Sequence, residues 1–208
     1  DPSRQFEIDK AMFDNILANN DKFSKLIILS SGPVYDKEHY KPKMKEEYFG
    51  THIPVDEYGR LRYSIAKEIE NMEKVVELRP FGVFGKYEDY SIRFISNAIC
   101  KAIFDLPITI KQNRKFDYIY INDLIFVIDY FINNDGKFCA YNVTPDKSIE
   151  LYTLAEKVKK MTGKDVPIIV KEKGIGIEYS GDNSRLKGEI KGLKFTDIDE
   201  AIKELYNW

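Results

Sequence analysis

The sequence predicts an α/β fold of the doubly wound kind, a mostly parallel sheet with helices on both faces. Apolar runs of strand length alternate along the chain with segments whose apolar residues recur at helical spacing. The run Leu26–Leu29 is continuously apolar, the pattern of a strand buried on both faces in a parallel sheet. Helix-length segments between the strands imply right-handed crossovers, which a parallel sheet requires.

The first half of the chain alternates helix, strand, helix and strand. Gly32-Pro33 closes the first strand, and a polar loop over residues 35–54 separates it from the second helix. Pro80 and Gly82 would halt the second strand. The predicted bounds are a helix over 6–18, a strand over 26–29, a helix over 56–74 and a strand over 75–79.

The second half continues the alternation. Ser148 is a preferred residue at a helix start and Gly163 at a helix end, so the residues between them are predicted to be helical. The last helix would begin at Thr196, in a capping-box spacing with Asp199 in place of the usual glutamate. The predicted bounds are helix 91–104, strand 108–110, strand 116–121, a helix capped near Asn122, strand 138–143, helix 148–163, strand 167–170 and a helix from 196 onward.

The charge pattern argues against nucleic-acid and membrane roles. The 208 residues include 32 basic and 34 acidic side chains, interspersed, with a formal net charge of -2. That balance gives no basic face for nucleic acid or anionic lipid. The longest apolar runs are strand-sized, far below the roughly 20 residues that a membrane span needs.

The cysteines and histidines form no pattern typical of a metal site or a disulfide framework. Cys100 and Cys139 lie far apart, and His39 and His52 have no ligand spacing to them. We interpret both cysteines as core residues and expect no metal ion. Such cysteine usage fits a reducing compartment, so the expected location is cytoplasmic.

Two serines and a turn follow the ends of the first two predicted strands, where a ligand is expected to bind. In parallel sheets, ligands bind at the carboxyl ends of the strands. This rule selects Ser30 and Ser31 after the first strand, and the turn at residues 80–82 after the second. The alternative is that the paired serines only terminate a strand.

A tyrosine and a lysine in the second helix could form a proton-transfer pair. Tyr63 and Lys67 are four residues apart and would share one helix face. A nearby ammonium lowers a tyrosine pKa from about 10 toward the working range, which makes the phenol a usable acid and base. Of the 14 tyrosines, only Tyr63 has a lysine four positions later. The alternative is a chance pair on a surface helix.

Six short motifs follow one another along nearly the whole chain. In order, they are Ser-Ser-x-x-Val-Tyr (30–35), Tyr-x-x-x-Lys (63–67), Leu-Arg-Pro-Phe-Gly-Val-Phe-Gly (78–85), Phe-Asp-Tyr-Ile-Tyr-Ile-Asn-Asp (116–123), Tyr-Asn-Val (141–143) and Asp-Asn-Ser-Arg-Leu-Lys (182–187). Their order and spacing resemble those of the extended short-chain dehydrogenase/reductase family, particularly its branch of nucleotide-sugar epimerases, dehydratases and reductases.

The resemblance implies a Rossmann-like fold in two parts. Residues 1–85 would be the remainder of a Rossmann-like domain and would carry the catalytic serine, tyrosine and lysine. Residues 86–208 would be mainly a small C-terminal α/β substrate-binding region, with segments that return to the Rossmann sheet. The implied cofactor is NAD or NADP, and the implied substrate is a nucleotide-sugar. Many relatives dimerise through helices like the one bearing Tyr63, so a homodimer is one expectation.

The resemblance also implies roles for single residues. Ser31 would hydrogen-bond the reacting sugar hydroxyl or ketone, and Tyr63 would shuttle the proton while hydride passes to or from the nicotinamide. Lys67 would hold the nicotinamide ribose and keep Tyr63 acidic. Pro80 and Phe81 would lie beside the nicotinamide ring, although a turn that only ends a strand is the alternative.

Departures from the family pattern narrow the expected reaction. Dehydratases of this branch carry Asp-Glu where this chain has Gly32 and Pro33, so a 4,6-dehydratase is disfavoured. Enzymes like GDP-fucose synthase carry a cysteine at the Pro33 position, which is absent here. What remains is redox at one carbon, by a 4-epimerase or a 4-keto-sugar reductase.

The substrate contacts are expected to come from few side chains. Ser31 and Gly32 lie at the reacting edge, whereas Gly82 could offer only its backbone. Arg93 and Arg114 could bind a diphosphate through paired hydrogen bonds. A solvated surface role is the alternative for each arginine.

The glycine-rich turn that opens the family's cofactor site has no counterpart in these 208 residues. That turn and the following helix hold the dinucleotide pyrophosphate. We expect a longer polypeptide to supply this N-terminal half and the enzyme to act only with it. The alternative is a non-catalytic relative that binds a nucleotide sugar or a partner protein.

Overall fold

A computed structural model describes residues 5–208 of the chain. The strands are β1 Leu26–Leu29, β2 Val75–Pro80, β3 Val83–Phe84, β4 Ile108–Asn113, β5 Lys115–Phe116, β6 Ile119–Tyr120, β7 Ala140–Val143, β8 Ile149–Glu150 and β9 Ile168–Ile175. The helices are α1 Gln5–Leu17, α2 Glu57–Ile69, α3 Phe94–Ile103, α4 Ile121–Asn133, α5 Leu151–Thr162, α6 Ser184–Glu189 and α7 Ile198–Tyr206.

The central sheet is parallel, with strand order β1-β2-β7. Leu26 pairs with Val75 across the first strand pair, and Glu77 pairs with Ala140 across the second. Both pairs need a crossover through other elements, and α2 lies between β1 and β2 in the chain. The parallel sheet and its helices confirm the predicted α/β fold.

Each face of this sheet carries a hydrophobic core. Because side chains alternate along a strand, Val75 faces α1 and α2, whereas Val76 and Leu78 face α4. The first core consists of Phe13, Leu61, Ile65, Ile69 and Val75. The second includes Leu124, Val127, Phe131, Tyr141 and Val143. Helices therefore cover both faces, as a doubly wound sheet requires.

The C-terminal part builds a further core from helices and short sheets. β4 pairs with β9 and β3 with β6, both in parallel, and β5 pairs with β8 in antiparallel. Buried residues of α3, α5 and α7 pack on these strands, among them Ile95, Ala102, Leu154 and Ile202. The division of the chain near residue 85 into two functional parts stays a prediction.

The loop after β1 is tied to the sheet by buried polar groups. The Tyr35 hydroxyl donates to Asn142 Oδ1 at 2.8 Å, and the Asn142 backbone N–H donates to Glu46 at 2.7 Å. Arg79 donates to the Tyr35 oxygen at 3.0 Å and pairs with Glu77 at 2.6 Å. Because these hydrogen bonds replace water, the buried charges are tolerated and the loop is fixed beside the carboxyl ends of the strands.

Several elements differ from their predicted form. β1 is half-buried and not buried on both faces, because among the described residues it pairs only with β2; Leu29 is 48% exposed. The strand predicted over 116–121 is split into β5 and β6, and α4 begins at its last residue. Thr196 donates to Asp123 and does not cap α7, whose cap is Asp197. Both cysteines are only partly buried and unpaired.

Candidate active site

Ser31 projects from the carboxyl end of β1. The backbone N–H of Ser30 still donates to Leu78 of β2 at 2.8 Å, so the sheet hydrogen bonding reaches this residue. The Ser30 hydroxyl is buried and has no partner among the described residues. Ser31 then precedes a short 3-10 helix, Gly32–Val34. The serine hydroxyl therefore lies at the edge where ligands bind in parallel sheets.

The first turn of α2 brings a tyrosine to this serine. Asp56 caps the helix by accepting the Gly59 N–H at 3.0 Å. A Cβ on Gly59 would stand 2.7 Å from Pro54 Cβ and 2.9 Å from the Pro33 carbonyl, so only glycine allows this close packing. As a result, the Tyr58 hydroxyl oxygen lies 3.2 Å from Ser31 Oγ.

Arg62 lies on the same helix face, one turn after Tyr58. Its guanidinium carbon is 5.0 Å from the centre of the Tyr58 ring. Its Nε is buried and has no hydrogen-bond acceptor among the described residues. A fixed positive charge with an unused donor therefore stands beside the tyrosine that contacts Ser31.

Tyr63 and Lys67, the pair predicted from the sequence, are not brought to Ser31. The Tyr63 ring packs on Phe49 with 5.0 Å between ring centres, and Lys67 pairs with Glu70 at 2.5 Å. The hydrogen bond to Glu70 raises the pKa of Lys67. Helix geometry explains why Tyr63 does not reach the serine that Tyr58 contacts. Tyr63 follows Tyr58 by five residues, so its side chain is rotated about 140° around the helix axis from that of Tyr58 and lies about 7.5 Å further along the axis.

Four predicted site residues line one cavity together with Tyr58. The cavity has a volume of about 460 Å³, and its walls include Ser31, Pro80, Phe81 and Arg93. Arg114 is not among its walls; this side chain lies beside Gly176. The structure thus joins the serine, the turn after β2 and one arginine, and separates the second arginine from them.

Two glycines at this edge make room for aromatic rings. A Cβ on Gly82 would stand 2.6 Å from the Phe116 ring. Gly32 is buried, and its Cβ would stand 2.5 Å from the Tyr179 hydroxyl and 2.9 Å from the Phe81 ring. Gly32 is predicted to bind substrate, and Gly82 to contact it through its backbone only. At both glycines an aromatic side chain occupies the space that a side chain of their own would need.

Asp117 is a buried acid next in sequence to Phe116. Its carboxylate accepts the Gly181 N–H at 2.8 Å and lies 3.5 Å from Lys43 Nζ. Burial raises the pKa of Asp117 to about 6, against the opposing effect of Lys43. This carboxylate fixes the segment that carries Tyr179, since Tyr179 and Gly181 flank one residue.

Sequence reasoning missed Tyr58, Arg62 and Tyr179. Tyr58 could have been found from Asp56, because a cap at that position puts residue 58 in the first helical turn, nearest to the carboxyl end of β1. Tyr58 and Arg62 have the same four-residue spacing, but they do not match the motif Tyr-x-x-x-Lys because the second residue is an arginine. Tyr179 had no local signal, since its place depends on the packing of distant segments.

The part of the chain that the structure describes shows neither a cluster of metal ligands nor a membrane-spanning helix. Within residues 5–208, no three His, Cys, Asp or Glu side chains converge in a way that could hold a metal ion. None of the helices found there is long and apolar enough to cross a membrane.

Known proteins match this chain in sequence and in fold. Over 194 residues it is 26% identical to an ADP-L-glycero-D-manno-heptose-6-epimerase of Brachyspira hyodysenteriae, which covers 86% of the chain but only 56% of the relative. The fold matches a GDP-mannoheptose C4 reductase of Campylobacter jejuni with NADP bound, with TM-score 0.77 and 17% identity over 94% of this chain and 73% of the other.

It also matches a UDP-glucuronic acid 4-epimerase of Bacillus cereus in complex with NAD, with TM-score 0.72 and 20% identity over 89% of this chain and 61% of the other. At these identities the solved structures establish the fold, which confirms the Rossmann-like prediction. Residues 1–144 match the NAD dependent epimerase/dehydratase family. The chain therefore belongs to this NAD-dependent epimerase/dehydratase family.

Proposed function

We propose that this chain carries the catalytic serine and tyrosine of an NAD(P)-dependent enzyme that modifies a nucleotide-activated sugar. The reaction is hydride transfer at one carbon, of the 4-epimerase or 4-keto-reductase type. The observation that carries the proposal is the 3.2 Å contact between Ser31 Oγ and the Tyr58 hydroxyl, in a cavity that also contains Pro80 and Phe81. A C4 reductase and a 4-epimerase among the matched structures support chemistry at C4, and the curated relative, which is named as a 6-epimerase, supports only the broader class of nucleotide-sugar epimerases.

Tyr58 takes the acid/base role that the sequence had suggested for Tyr63. Its hydroxyl exchanges a proton with the reacting sugar oxygen, and Ser31 hydrogen-bonds the same oxygen. A sugar hydroxyl placed between them would meet two groups already within hydrogen-bond distance of each other. Such proximity is what a positioned proton transfer requires.

Arg62 takes the place of Lys67 as the cation of the pair. Its guanidinium carbon lies 5.0 Å from the centre of the Tyr58 ring, where a positive charge can stabilise the negative charge that develops on the Tyr58 oxygen during proton transfer. Its buried Nε, which has no acceptor among the described residues, is free to donate to a ribose hydroxyl. The orphaned donor is the feature of this structure that fits a bound nicotinamide ribose.

The residues present fit one end of NAD or NADP. When bound, the cofactor accepts or supplies the hydride. Arg62, Pro80 and Phe81 would hold its nicotinamide end, but the 208 residues contain no glycine-rich turn for its pyrophosphate. The outer edge of β1 is open among the described residues and exposes Leu29. We therefore propose that the enzyme acts only with a dinucleotide-binding half whose strand pairs with this edge; the two parts together are called the complete enzyme.

The alternative is a relative that binds a nucleotide sugar or a partner protein without turnover. The replacement of the usual lysine by Arg62 is the observation that favours it. A test separates the two: the complete enzyme is incubated with NAD and UDP-glucose, UDP-glucuronic acid or GDP-mannose, and separately with NADPH and a nucleotide-linked 4-keto-sugar, and the sugar products are resolved by chromatography. Catalysis predicts a C4 epimer or a change in cofactor absorbance. Cofactor binding without any product would favour the alternative.

The exposed face of α1 suits a homodimer. Ile8, Met12 and Ile16 follow one another at four-residue spacing, and they are 54%, 60% and 38% exposed. We propose that two copies pack through this stripe, and we expect Met12→Asp to convert dimers to monomers in light scattering at micromolar concentration. A monomeric native protein would contradict the dimer.

The unpaired Cys100 and Cys139 agree with a cytoplasmic location.

A further inference from the structure

A second cavity lies among β2, β7 and α2, apart from the active site. Its volume is about 460 Å³, and its walls share no residue with the cavity that contains Ser31. Strand β7 forms the edge of the described three-stranded sheet opposite to β1, so the segment proposed to pair with β1 lies on the other side of β2. The cavity is therefore distinct from the proposed cofactor and substrate site.

The walls of this cavity carry more acidic than basic groups. Four glutamates and two arginines line it: Glu46, Glu47, Glu70, Glu77, Arg79 and Arg185. Lys67 lies outside the walls and pairs with one of the glutamates, Glu70, at 2.5 Å. The negative charge still exceeds the positive charge by one group, which favours a cationic ligand.

Glu77 presents a carboxylate oxygen that has no donor. The residue is 1% exposed, and its Oε2 accepts hydrogen bonds from Arg79 Nε at 2.9 Å and Arg79 Nη2 at 2.6 Å. The other oxygen, Oε1, is buried and has no hydrogen-bond partner among the described residues. A buried charged oxygen without a donor costs free energy, so this wall of the cavity favours a ligand that donates.

The two arginines use their donors on other groups. The third donating nitrogen of Arg79, Nη1, donates to the Tyr35 oxygen at 3.0 Å. Arg185 donates to Glu47 at 2.7 Å and to the Ala140 carbonyl at 3.1 Å. Neither guanidinium therefore supplies the hydrogen bond that Glu77 Oε1 lacks.

Glu46 is a second buried acid in the same walls. The residue is 6% exposed, and its Oε1 accepts the Asn142 N–H at 2.7 Å. Its Oε2 lies 3.9 Å from Arg185 Nε, beyond hydrogen-bond distance. Burial raises the pKa of Glu46, against the opposing effects of Asn142 and Arg185. A positive charge in the cavity would stabilise the ionised form of this carboxyl as well.

The remaining walls favour an organic cation over a metal ion. Ala66 and Ala140 provide small apolar surfaces that suit an alkyl chain. Within residues 5–208, no three His, Cys, Asp or Glu side chains converge to hold a metal ion. An ammonium group brings a positive charge and three N–H donors, which are the two properties that the walls lack.

We propose that this cavity binds a small organic cation, an alkylammonium or diammonium compound whose ammonium group donates to Glu77 Oε1. The alkyl chain of the ligand lies along the apolar part of the walls. Binding stabilises the folded protein, because only the folded chain forms the cavity. The proposal does not depend on the proposed function, since no wall of this cavity belongs to the active site.

Titration calorimetry of the complete enzyme with three probes tests the proposal. Putrescine has an ammonium group at each end of a four-carbon chain. Butanediol has the same chain with hydroxyl groups and no charge, and magnesium chloride supplies an inorganic cation. We expect putrescine to bind and to raise the melting temperature, and we expect the other two probes to do neither.

A double variant tests the role of Glu77. Replacement of Glu77 alone would leave Arg79 as a buried charge without a partner, which is strongly destabilising. Glu77→Leu combined with Arg79→Met removes both charges of the pair. It should lower the affinity for putrescine by about tenfold or more, the usual worth of a hydrogen bond to a charged group. Glu172→Gln is the matched control outside the cavity, where the carboxylate lies 3.6 Å from Lys111, and should leave the affinity unchanged.

A charge reversal at Glu70 provides a second test that leaves the buried pair intact. The Glu70 side chain lines the cavity and is 41% exposed, so Glu70→Lys should fold normally. Its positive charge should weaken putrescine binding several-fold by repulsion, and more strongly at low than at high salt.

Each outcome decides for or against the cation site. Putrescine binding that the double variant and Glu70→Lys both weaken supports the proposal. A wild type that does not bind putrescine overturns it, as does equal binding of butanediol or preferential binding of magnesium. Unchanged putrescine affinity in the folded double variant also overturns it. If that variant does not fold, unchanged affinity in Glu70→Lys overturns it instead.

Discussion

At the scale of single residues, Arg62 gives the candidate site a cation that stays charged. Guanidinium groups hold their proton at any working pH, unlike a lysine near a desolvated site. The 5.0 Å approach of this group to the Tyr58 ring lets it act on the phenol electrostatically.

Removal of this charge should slow the proposed reaction. We expect Arg62→Met to lower kcat/KM of the complete enzyme by about 10- to 100-fold, because the phenolate of Tyr58 loses its stabilising charge. Arg62→Lys, which keeps a positive charge, should lose less. Steady-state kinetics measure both, with thermal unfolding as the control for folding. Wild-type kinetics in Arg62→Met would show that the arginine has no role in proton transfer.

Asp117 should make stability depend on pH. Its folded-state pKa is raised to about 6 from 3.8, so its contribution to stability is full below the lower value and is lost as pH rises through about 6. Asp117→Asn cannot titrate. The free energy of unfolding of the wild type, relative to this variant, should rise by up to about 2 kcal/mol between about pH 7.5 and pH 4.5. Chemical denaturation at the two pH values tests this, and a difference that does not vary with pH would contradict it.

The residues of the site were predictable only in part. Ser31, Pro80 and Phe81 follow strand ends, and the position of strand ends is readable from apolar runs and turn residues. The four-residue spacing of Tyr63 and Lys67 predicts the proton-transfer pair at those positions, whereas the structure brings the Tyr58 hydroxyl to Ser31. A displacement of five residues on a helix changes both the face of the side chain and its height along the axis, and spacing to a lysine does not reveal which face meets the serine.

At the scale of elements, the close contact between α2 and the 3-10 helix decides where Tyr58 lies. Gly59 allows that contact, since its missing Cβ leaves room for Pro54 and for the Pro33 carbonyl. The contact is made by backbone and rigid proline atoms, which cannot move aside as a flexible side chain would. The first turn of α2 would therefore have to shift to accept any larger residue.

Gly59→Ala should destabilise the protein although alanine is the better helix former. The clash is expected to cost about 1–3 kcal/mol, more than the ~1 kcal/mol that alanine contributes in a helix. Activity should fall as well, because Tyr58 moves away from Ser31. Gly188→Ala in α6 is the matched control, since nothing lies within 4 Å of its added Cβ, and it should not destabilise. Equal melting temperatures for the two variants would refute this account of α2.

The order of elements was largely predictable, because long apolar periodicity and caps such as Gly163, which ends α5, are local signals. The burial of β1 was not predictable, because the neighbours of a strand depend on the whole sheet and not on its own residues. Its run of four apolar residues reads as a central strand, whereas the described sheet places it at an edge. Exposed edges of this kind favour pairing with a further strand.

At the scale of the whole molecule, the described residues combine a central parallel sheet, which carries Ser31 after its first strand, with a C-terminal core of helices and short sheets. The chain spans 56% of the length of the curated relative it matches. The edge of β1 that is open among the described residues and the lack of a glycine-rich turn in the sequence support the proposal that another segment completes the cofactor site. The aromatic rings of Phe81, Phe116 and Tyr179 pack together across residue 85, the predicted boundary between the two parts.

The identity of the proton-transferring tyrosine is the central claim, and one comparison tests it. Hydride transfer by the complete enzyme is measured for Tyr58→Phe and Tyr63→Phe with the same nucleotide sugar. The geometry predicts that Tyr58→Phe lowers the rate by about 10² to 10⁴, the usual contribution of a positioned acid/base, and that Tyr63→Phe changes it by less than about threefold. A large loss in Tyr63→Phe with near-normal transfer in Tyr58→Phe would contradict the account.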